Sequence, residues 1–226
     1  MIMTALSAIL YFLTEHPFWS WPLLMLIGIA LSKWLARRTG KPGWYGLLLV
    51  FFIYAMVNIF VAHIFNALFL KAFGVEGTAV ITHAEETSST LNDQNVWEFD
   101  GVLKTADGQD VVVRFDTMSA TIYPITNAIM IPPQGEMFVV RYIPGFPRNF
   151  VIMREQSNYG KRYQLAEDRE PVEKAAAQFA VSPGNKAFIA EYRGALATFI
   201  DKHRHDADPG LIMEYQARLD ALPAAD

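Results

Sequence analysis

The sequence contains no cysteine among its 226 residues. This absence excludes disulfide bonds, thiol catalysis and cysteine-ligated metal sites, and it leaves the redox compartment open. Basic residues are also scarce after the first third of the chain. Residues 1–73 contain five of the 19 Lys and Arg residues and only one of the 23 Asp and Glu residues, Glu15. Residues 74–226 therefore contain 14 basic and 22 acidic residues, which gives a net charge of −8. Because phosphate binding needs clustered Lys and Arg, we expect no nucleic acid partner.

Charge is almost absent from residues 1–73, where apolar stretches dominate. Residues 18–36 and 47–70 are each long enough to cross a hydrocarbon core, which takes about 20 helical residues. Residues 2–14 are too short for a crossing, so we expect an interfacial or re-entrant helix there. A cleaved signal peptide is the competing interpretation, but no basic residue precedes this apolar run. The sequence therefore predicts a membrane anchor over residues 1–73.

The positive charges predict how the two spans are oriented. Arg37, Arg38 and Lys41 lie between the spans, whereas the N-terminal flank has no Lys or Arg. By the positive-inside rule the short loop is cytoplasmic, so both ends of the anchor face the other side. In a Gram-negative bacterium, this orientation predicts an inner-membrane protein, in contact with membrane lipid, whose N-terminus and C-terminal domain are periplasmic.

Small and polar residues within the spans predict close helix packing. They are Gly28, Ser32 and Ala36, which repeat every four positions of the first span, and Asn58, His63 and Asn66, which share one side of the second. Small residues let helix backbones approach, and amides hydrogen-bond across helices. The predicted contact is either between the two spans or between two protomers of a homodimer. The alternative role for His63 is that of a proton relay or a ligand, but neither span contains an Asp or Glu that would pair with it.

From Gly74 onwards the apolar residues alternate with a period of two. Strand-like runs occur at 77–86, 96–115, 121–131, 135–144 and 149–153. Turn sequences separate them, among them Leu91-Asn92-Asp93, Asp107-Gly108 and Pro144-Gly145. The pattern predicts a small antiparallel β-barrel or sandwich over residues 74–153, and its firmest part is the hairpin that turns at Asp107-Gly108.

This part of the chain carries a family resemblance. A strand GTAVIT follows a membrane helix, a hairpin VWEF…TADGQDVVVRF comes next, and GEMFVVRYIPGFPRNFVI closes the region. Residues 74–153 thereby resemble the bacterial membrane-anchored family called domain of unknown function 3592. The residues that match its closing strand and corner are Gly135, Val139, Arg141, Tyr142, Pro144 and Pro147. The resemblance implies a small β-domain in an envelope setting and no catalytic residue, and the insertion between Asp116 and Pro133 departs from the family pattern.

The proline corner that follows the fourth run is the predicted partner contact. Strand alternation places Arg141 on the polar face, where we expect it to pair with an acid such as Glu98 or Asp100. Alternatively, the rigid Pro-Gly-Phe-Pro turn presents Phe146 to another protein as an apolar knob, with Arg141 and Arg148 on either side.

After Met153 the apolar period becomes helical. Amphipathic helices are predicted over residues 170–181, 183–202 and 209–222, with 158–168 as a linker. Aromatic stripes at helical spacing are usually core, so we expect the helices of residues 154–226 to pack on the β-domain and on each other, with a partner molecule as the alternative. The predicted fold is therefore a membrane α-helical hairpin with an α+β extramembrane domain.

The sequence shows no recognisable catalytic, cofactor or metal motif. His203, His205, Asp206 and Asp208 have the composition of a metal site, but residues two apart point away from each other on a helix. Nothing resembles a phosphate loop, a nucleophile elbow or a catalytic triad. We therefore expect no cofactor and no enzyme activity.

Two functions fit these expectations. The first is a binding protein that displays its periplasmic module to a secreted protein, for example an immunity protein that neutralises a secreted effector. The second is a structural or sensory subunit of an envelope or secretion complex, in which the polar residues of the spans make the assembly contact.

Overall fold

The computed structural model describes residues 1–91, 93–126 and 129–223. Contacts divide the chain into two compact units, residues 1–159 and residues 160–226. The first unit holds three helices and a β-sheet, and the second unit is helical. The sheet therefore belongs to the same compact unit as the helices that precede it.

The three helices of the first unit are α1 (Ile2–Glu15), α2 (Pro17–Thr39) and α3 (Leu47–Phe73). A 3-10 turn, Pro42–Gly46, leads into α3. By length and composition, the helical stretches Pro17–Thr39 and Pro42–Phe73 can each cross a membrane, and they contain the two predicted spans. α1 corresponds to the helix expected over residues 2–14, and its position at the membrane surface stays a prediction.

Local chemistry sets the ends of these helices. Pro17 has no amide hydrogen, so it interrupts α1 and occupies the first turn of α2, where that hydrogen has no intrahelical partner. Gly40 ends α2 in the left-handed conformation, at φ 69°. Arg37 and Arg38 lie in the last turn of α2, where cations favour the negative end of the helix dipole.

α2 and α3 bury faces made largely of small residues. The buried residues of α2 are Ser20, Leu24, Gly28 and Ser32, which recur every four positions. Those of α3 are Ala55, Asn58, Ala62, Asn66, Ala67 and Leu70. Large apolar side chains on the other faces, such as Leu26 and Phe60, are exposed, as a lipid-facing surface requires.

In the part of the chain that the structure describes, six strands form one sheet in the order β3-β2-β1-β5-β6-β4. They are β1 (Val75–Leu91), β2 (Gln94–Lys104), β3 (Asp110–Asp116), β4 (Ile122–Tyr123), β5 (Met137–Ile143) and β6 (Phe146–Met153). β4 runs parallel to β6, and the other four pairs are antiparallel.

The sheet is mixed and open, so the predicted antiparallel barrel is wrong. β3 and β4 form the two edges, and β4 is parallel because the chain crosses from one edge to the other before it pairs with β6. Among the described residues of the run predicted over 121–131, which are 121–126 and 129–131, only Ile122 and Tyr123 are in a strand, since Pro124 has no amide hydrogen for a ladder. The sandwich stays a prediction, and Asn92 of a predicted turn lies outside the described residues.

The two faces of β5 and β6 bury different clusters, as strand alternation requires. One face joins the main core, whose buried members include Ala79, Ile81, Phe99, Leu103, Val113, Phe115, Phe138, Val140, Phe150, Ile152 and Tyr159. The other face packs on the end of α3 through Ala67, Leu70, Ile143, Val151 and Met153. The apolar end of α3 is therefore part of the packing of the sheet.

The second unit consists of the main part of α4 (Asn158–Val181) with α5 (Lys186–His203) and α6 (Pro209–Ala221). Its core includes Val172, Tyr192, Leu196, Phe199, Ile200 and Tyr215. The linker predicted at 158–168 is wrong, because α4 already begins at Asn158, carries Pro171 inside it and packs Leu165 against this core. Packing of these helices on the β-domain stays a prediction.

Candidate functional site at the junction of the N-terminal helices and the sheet

α1 places a polar face against the rest of the first unit. Thr4, Ser7, Tyr11 and Thr14 recur every three or four residues and so lie on one side of the helix. Ser7 is fully buried, whereas Ile9 on the other side of α1 is exposed. A helix packed on the core of a soluble protein buries its apolar side and exposes its polar side, whereas α1 buries its polar side and exposes apolar residues.

The tip of the β5–β6 hairpin contacts this polar face. Gly145 turns the chain at φ +88°, and a Cβ atom there would lie only 3.3 Å from Cγ2 of Thr4. The hydroxyl of Thr4 donates a hydrogen bond to the carbonyl of Pro144 over 3.3 Å. The ring of Phe146 meets the ring of Tyr11 edge-on, with centroids 5.5 Å apart. The predicted apolar knob therefore contacts α1 of its own chain.

A buried polar cluster joins α1, α3 and β6. Asn66 and Asn149 donate to each other's Oδ1 over 2.8 and 2.9 Å. Nδ2 of Asn149 also lies 3.0 Å from both the carbonyl and the hydroxyl oxygen of Ser7, and Nδ2 of Asn66 lies 3.4 Å from Oγ1 of Thr121. All four side chains are buried, and their mutual hydrogen bonds offset the free energy of removing them from water.

Arg141 supports the same junction from the face of β5 that packs on α3, so the predicted polar face is wrong, since Val139 and Ile143 share this face and are packed against α3. Its guanidinium donates a hydrogen bond to the carbonyl of Lys71 in the last turn of α3, where helix carbonyls have no intrahelical partner. The predicted pairing of Arg141 with Glu98 or Asp100 is wrong, because β1 separates β5 from β2. Asp100 instead pairs with Arg114 of β3 over 2.7 Å.

Glu15, the last residue of α1, lies close to the turn that follows β3. Burial raises the pKa of its carboxyl, Asp116 raises it further, and a hydrogen bond with Ser119 lowers it, which leaves a pKa of about 7. The exposed Arg148 lies near Tyr11, whose pKa is raised by burial and by Glu15 and lowered by Arg148. The junction therefore contains a carboxyl that changes charge near neutral pH.

Asn58 is a second polar link, deeper along α3. Its Nδ2 lies 3.3 Å from the carbonyl of Leu13 in α1 and 3.3 Å from the hydroxyl of Ser20 in α2. The side chain is 2% exposed. Asn58 thus connects all three helices at the point where α1 gives way to α2.

The small residues of α2 contact α3 within the same chain. A Cβ atom on Gly28 would lie 2.9 Å from Cβ of Phe51, so only glycine permits this approach. Ser32 is fully buried, and Ala36 is half-buried one turn further on. A homodimer stays a prediction, and the surface of Gly28 is already covered by Phe51.

His63 lies apart from these links, beside a surface cavity of about 120 Å³. The cavity separates α3 from the β4 segment, by which we mean residues 117–126 and 129–131. The lining also includes Met118, Ile122, Ile125 and Ile129. Among the described residues this lining contains no Asp or Glu. A proton relay through His63 would therefore lack a second proton-carrying side chain at this cavity.

In the second unit, His203 is buried between two carboxylates. Its Nε2 lies 2.9 Å from Asp168, its Nδ1 lies 3.2 Å from Asp206, and Lys202 reaches Asp168 over 2.6 Å. Asp208 instead accepts the amide hydrogen of Leu211 as the N-cap of α6. Within residues 1–91, 93–126 and 129–223, no group of three or more His, Asp and Glu side chains is arranged to hold a metal ion.

Sequence reasoning missed the residues that complete the junction. Ser7 and Tyr11 carry a usable signal, because they share one side of a helix that is otherwise apolar. Asn149 carries none, since its position in the run NFVIM gives no sign that the amide is buried opposite Asn66.

No family model, no curated protein and no solved structure matches this chain. The resemblance of residues 74–153 to the membrane-anchored family named above stays a prediction. Function must therefore be argued from the junction and from the surfaces that it positions.

Proposed function

We propose that this protein is a two-span inner-membrane protein that displays a protein-binding module in the periplasm. The observation that carries the proposal is the buried hydrogen-bond cluster of Ser7, Asn66 and Asn149, which joins α1, α3 and β6. A sheet held in this way keeps one orientation relative to the membrane helices, and preorganisation reduces the entropic cost of binding a partner. The basic loop between α2 and α3 supports the orientation.

The β1–β2 arm offers a surface for that partner. β5 pairs with β1 only up to Val80 and β3 pairs with β2 only up to Glu98, whereas β1 continues to Leu91. The ends of β1 and β2 beyond the Glu85–Glu98 pair therefore project from the rest of the sheet. Trp97 is 40% exposed and lies directly across from Glu86, so the two side chains share one face of the arm. An acidic side chain beside an exposed tryptophan suits a basic protein surface. An immunity protein that captures a basic secreted effector would present such an arm.

A structural or sensory subunit of an envelope or secretion complex is the second candidate. It is favoured by the direct contact of α3 with β5 and β6, because a displacement of α3 would reach the sheet without an intervening linker. In this case the partner is another envelope protein, and the contact includes the membrane helices.

Photo-crosslinking in cells tests the binding function. A photoreactive residue replaces Trp97 on the arm, and a matched control replaces Met137, an exposed apolar residue of β5. We expect a defined adduct with one other protein from position 97 and none from position 137. The purified partner should then bind the full chain in detergent, and Glu86→Lys should weaken that binding. Equal labelling from both positions, or no adduct from either, would contradict the proposal.

The identity of the captured protein separates the two candidates. A secreted toxin supports the immunity function, whereas a component of secretion or envelope machinery supports the subunit function. A reciprocal protection assay, in which cells survive the effector only when they produce the full chain, then tests the immunity function directly.

A further inference from the structure

Three large apolar side chains of the β4 segment are exposed. They are Met118, Ile125 and Ile129, with exposed fractions of 55%, 39% and 53%. Other apolar residues of the same segment, Ile122, Met130 and Ile131, pack against the core of the sheet. The segment therefore divides its apolar residues into a core-facing set and an exposed set.

The exposed set lies beside a helix that is long enough to cross a membrane. Met118, Ile125 and Ile129 line the cavity whose opposite wall includes His63 of α3. Phe60 lies one turn from His63 along α3 and is 70% exposed. The cavity is thus continuous with the surface of α3 that faces lipid in the proposed membrane arrangement.

Hydrogen bonds fix the depth of this cavity along α3. The bond of Asn58 to Ser20 places Asn58 level with the first turn of α2. A helix rises about 1.5 Å per residue. His63 follows Asn58 by five residues, so it lies roughly 7.5 Å from the level of Asn58 and Ser20, towards the end of α3 that packs on the sheet. The headgroup layer is roughly 5–7 Å thick on each side of the hydrocarbon core, and exposed aromatic residues such as Trp19 are typical of its boundary. The β4 segment is therefore level with the lipid headgroups.

Contacts on both sides hold the β4 segment in place. Ile122 and Tyr123 pair with β6. Arg154 donates to the hydroxyl of Thr126 over 3.4 Å, and the hydroxyl of Tyr159 donates to the carbonyl of Met130 over 3.2 Å. The three exposed side chains are thus presented by an anchored backbone, and apolar groups gain free energy when they leave water.

We propose that the β4 segment inserts Met118, Ile125 and Ile129 into the lipid leaflet on the sheet's side of the membrane. The inference rests on the proposed membrane insertion of α2 and α3 and adds a third contact with the bilayer. The occupant is lipid because one wall of the cavity is itself a membrane helix at headgroup depth. Together with the two spans, this contact sets the height and tilt of the sheet above the membrane.

Depth-dependent fluorescence quenching tests the inference, and the cysteine-free chain makes it direct. Single substitutions Met118→Cys, Ile125→Cys and Ile129→Cys receive an environment-sensitive dye in the full chain. Leu26→Cys, an exposed site in the middle of α2, reports on the span, and Ala106→Cys, in the exposed turn between β2 and β3, is the matched control. The protein is placed in nanodiscs of phosphatidylcholine and phosphatidylglycerol whose acyl chains are brominated either near the headgroup or near the bilayer centre.

We expect bromines near the headgroup to quench the three β4-segment dyes more strongly than bromines near the bilayer centre do. The Leu26 dye should show the opposite preference, and the Ala106 dye should show neither. Quenching at Leu26 combined with Ala106-like behaviour of the β4 segment would overturn this inference alone. Loss of quenching at Leu26 as well would overturn the proposed membrane insertion. Shielding of the β4-segment dyes that depends on protein concentration, without quenching by lipid, would show a second copy there and also overturn the inference.

Discussion

Asn66 of α3 and Asn149 of β6 form a reciprocal amide pair, each Nδ2 donating to the other's Oδ1 over 2.8 and 2.9 Å. The two side chains are 1% and 2% exposed. A buried amide whose partner is removed retains unsatisfied donors and acceptors, whereas the intact pair satisfies both. The pair therefore connects a helix that is long and apolar enough to cross a membrane to a strand 83 residues further along the chain.

We expect Asn66→Ala and Asn149→Ala each to lower the free energy of unfolding by about 1–3 kcal/mol, because each removes the donor to the buried Oδ1 of the other amide. The double variant should lose less than the sum of the single losses, as residues of one network do. Unfolding of the full chain in detergent measures these values. Asn95→Ala, on the exposed part of β2, is the control and should change stability by no more than about 0.5 kcal/mol. Strictly additive losses would contradict the pairing.

Glu15 should make the first unit more stable in mild acid than above neutral pH. The pKa of its carboxyl is about 7 in the folded protein, against an ordinary value of 4.5. Between these values the folded state keeps a proton that the unfolded state has released, so stability falls as the pH rises through this window. Unfolding measured across the window should show this slope, and Glu15→Gln should remove it. Glu155→Gln, at an exposed carboxyl, should leave it unchanged; a slope that survives Glu15→Gln would assign the effect elsewhere.

Local patterns predict the elements of this fold better than they predict which elements become neighbours. The two spans, the Asp107-Gly108 hairpin and helices α5 and α6 follow from hydrophobic period and turn chemistry, which act within short stretches. The order of the strands in the sheet does not follow from these local patterns. Arg141 is expected on a polar face of β5, but that face carries Val139 and Ile143 and packs on the end of α3. The expected acidic partners of Arg141 lie on β2, which β1 separates from β5.

The junction shows the same limit. Asn66 is recognisable in the sequence as a polar residue within a predicted membrane span, and such residues usually have a polar partner. The partner is Asn149 on a strand, and strand alternation fixes only which face a residue occupies, not what lies opposite. Pro171 shows a different limit. Proline commonly marks the start of a helix, so the sequence predicts a helix that begins at residue 170. α4 instead begins at Asn158 and continues through Pro171, and Leu165 in this added part packs against the core of the second unit.

Gly28→Leu should destabilise the α2–α3 hairpin, because even a Cβ atom at this position would lie 2.9 Å from the side chain of Phe51. Overpacking of this kind typically costs about 1–3 kcal/mol. We expect less folded protein in the membrane with no change in oligomer size, measured by native mass in nanodiscs. Ala30→Leu, on an exposed face of α2, should have neither effect. If Gly28→Leu instead converts a dimer into a stable monomer, the contact of Gly28 is between protomers.

A reporter fused after the last residue should be periplasmic, because the positive-inside rule predicts a cytoplasmic loop where Arg37, Arg38 and Lys41 lie between the spans. Alkaline phosphatase at that point should be active, and a fluorescent protein that folds only in the cytoplasm should be dark. The same reporters inserted after Gly40 should give the opposite pattern. An inactive phosphatase with a bright fluorescent fusion at the C-terminus would reverse the topology.

Asp168 should make the second unit sensitive to acid. Burial raises the pKa of its carboxyl, but hydrogen bonds from Lys202 and His203 lower it by more, so the pKa lies below its ordinary value of 3.8. A carboxyl whose pKa is lowered by folding contributes stability above the unfolded pKa, and this contribution is lost as the pH falls through the folded value. Stability of α4 and α5 should therefore decline once the pH drops below about 4.

Asp168→Asn isolates this effect, since it keeps the size of the side chain and removes the charge that pairs with Lys202 and His203. At neutral pH we expect faster amide hydrogen exchange in α4 and α5, because the buried His203 loses its closest carboxylate. In acid the difference from the unmodified chain should shrink, because protonation of Asp168 removes the same charge. Asp201→Asn, at an exposed carboxyl of α5, is the matched control and should change exchange at neither pH. Equal protection in the Asp168 and Asp201 variants at neutral pH would show that the carboxylate pairing of His203 does not stabilise the unit.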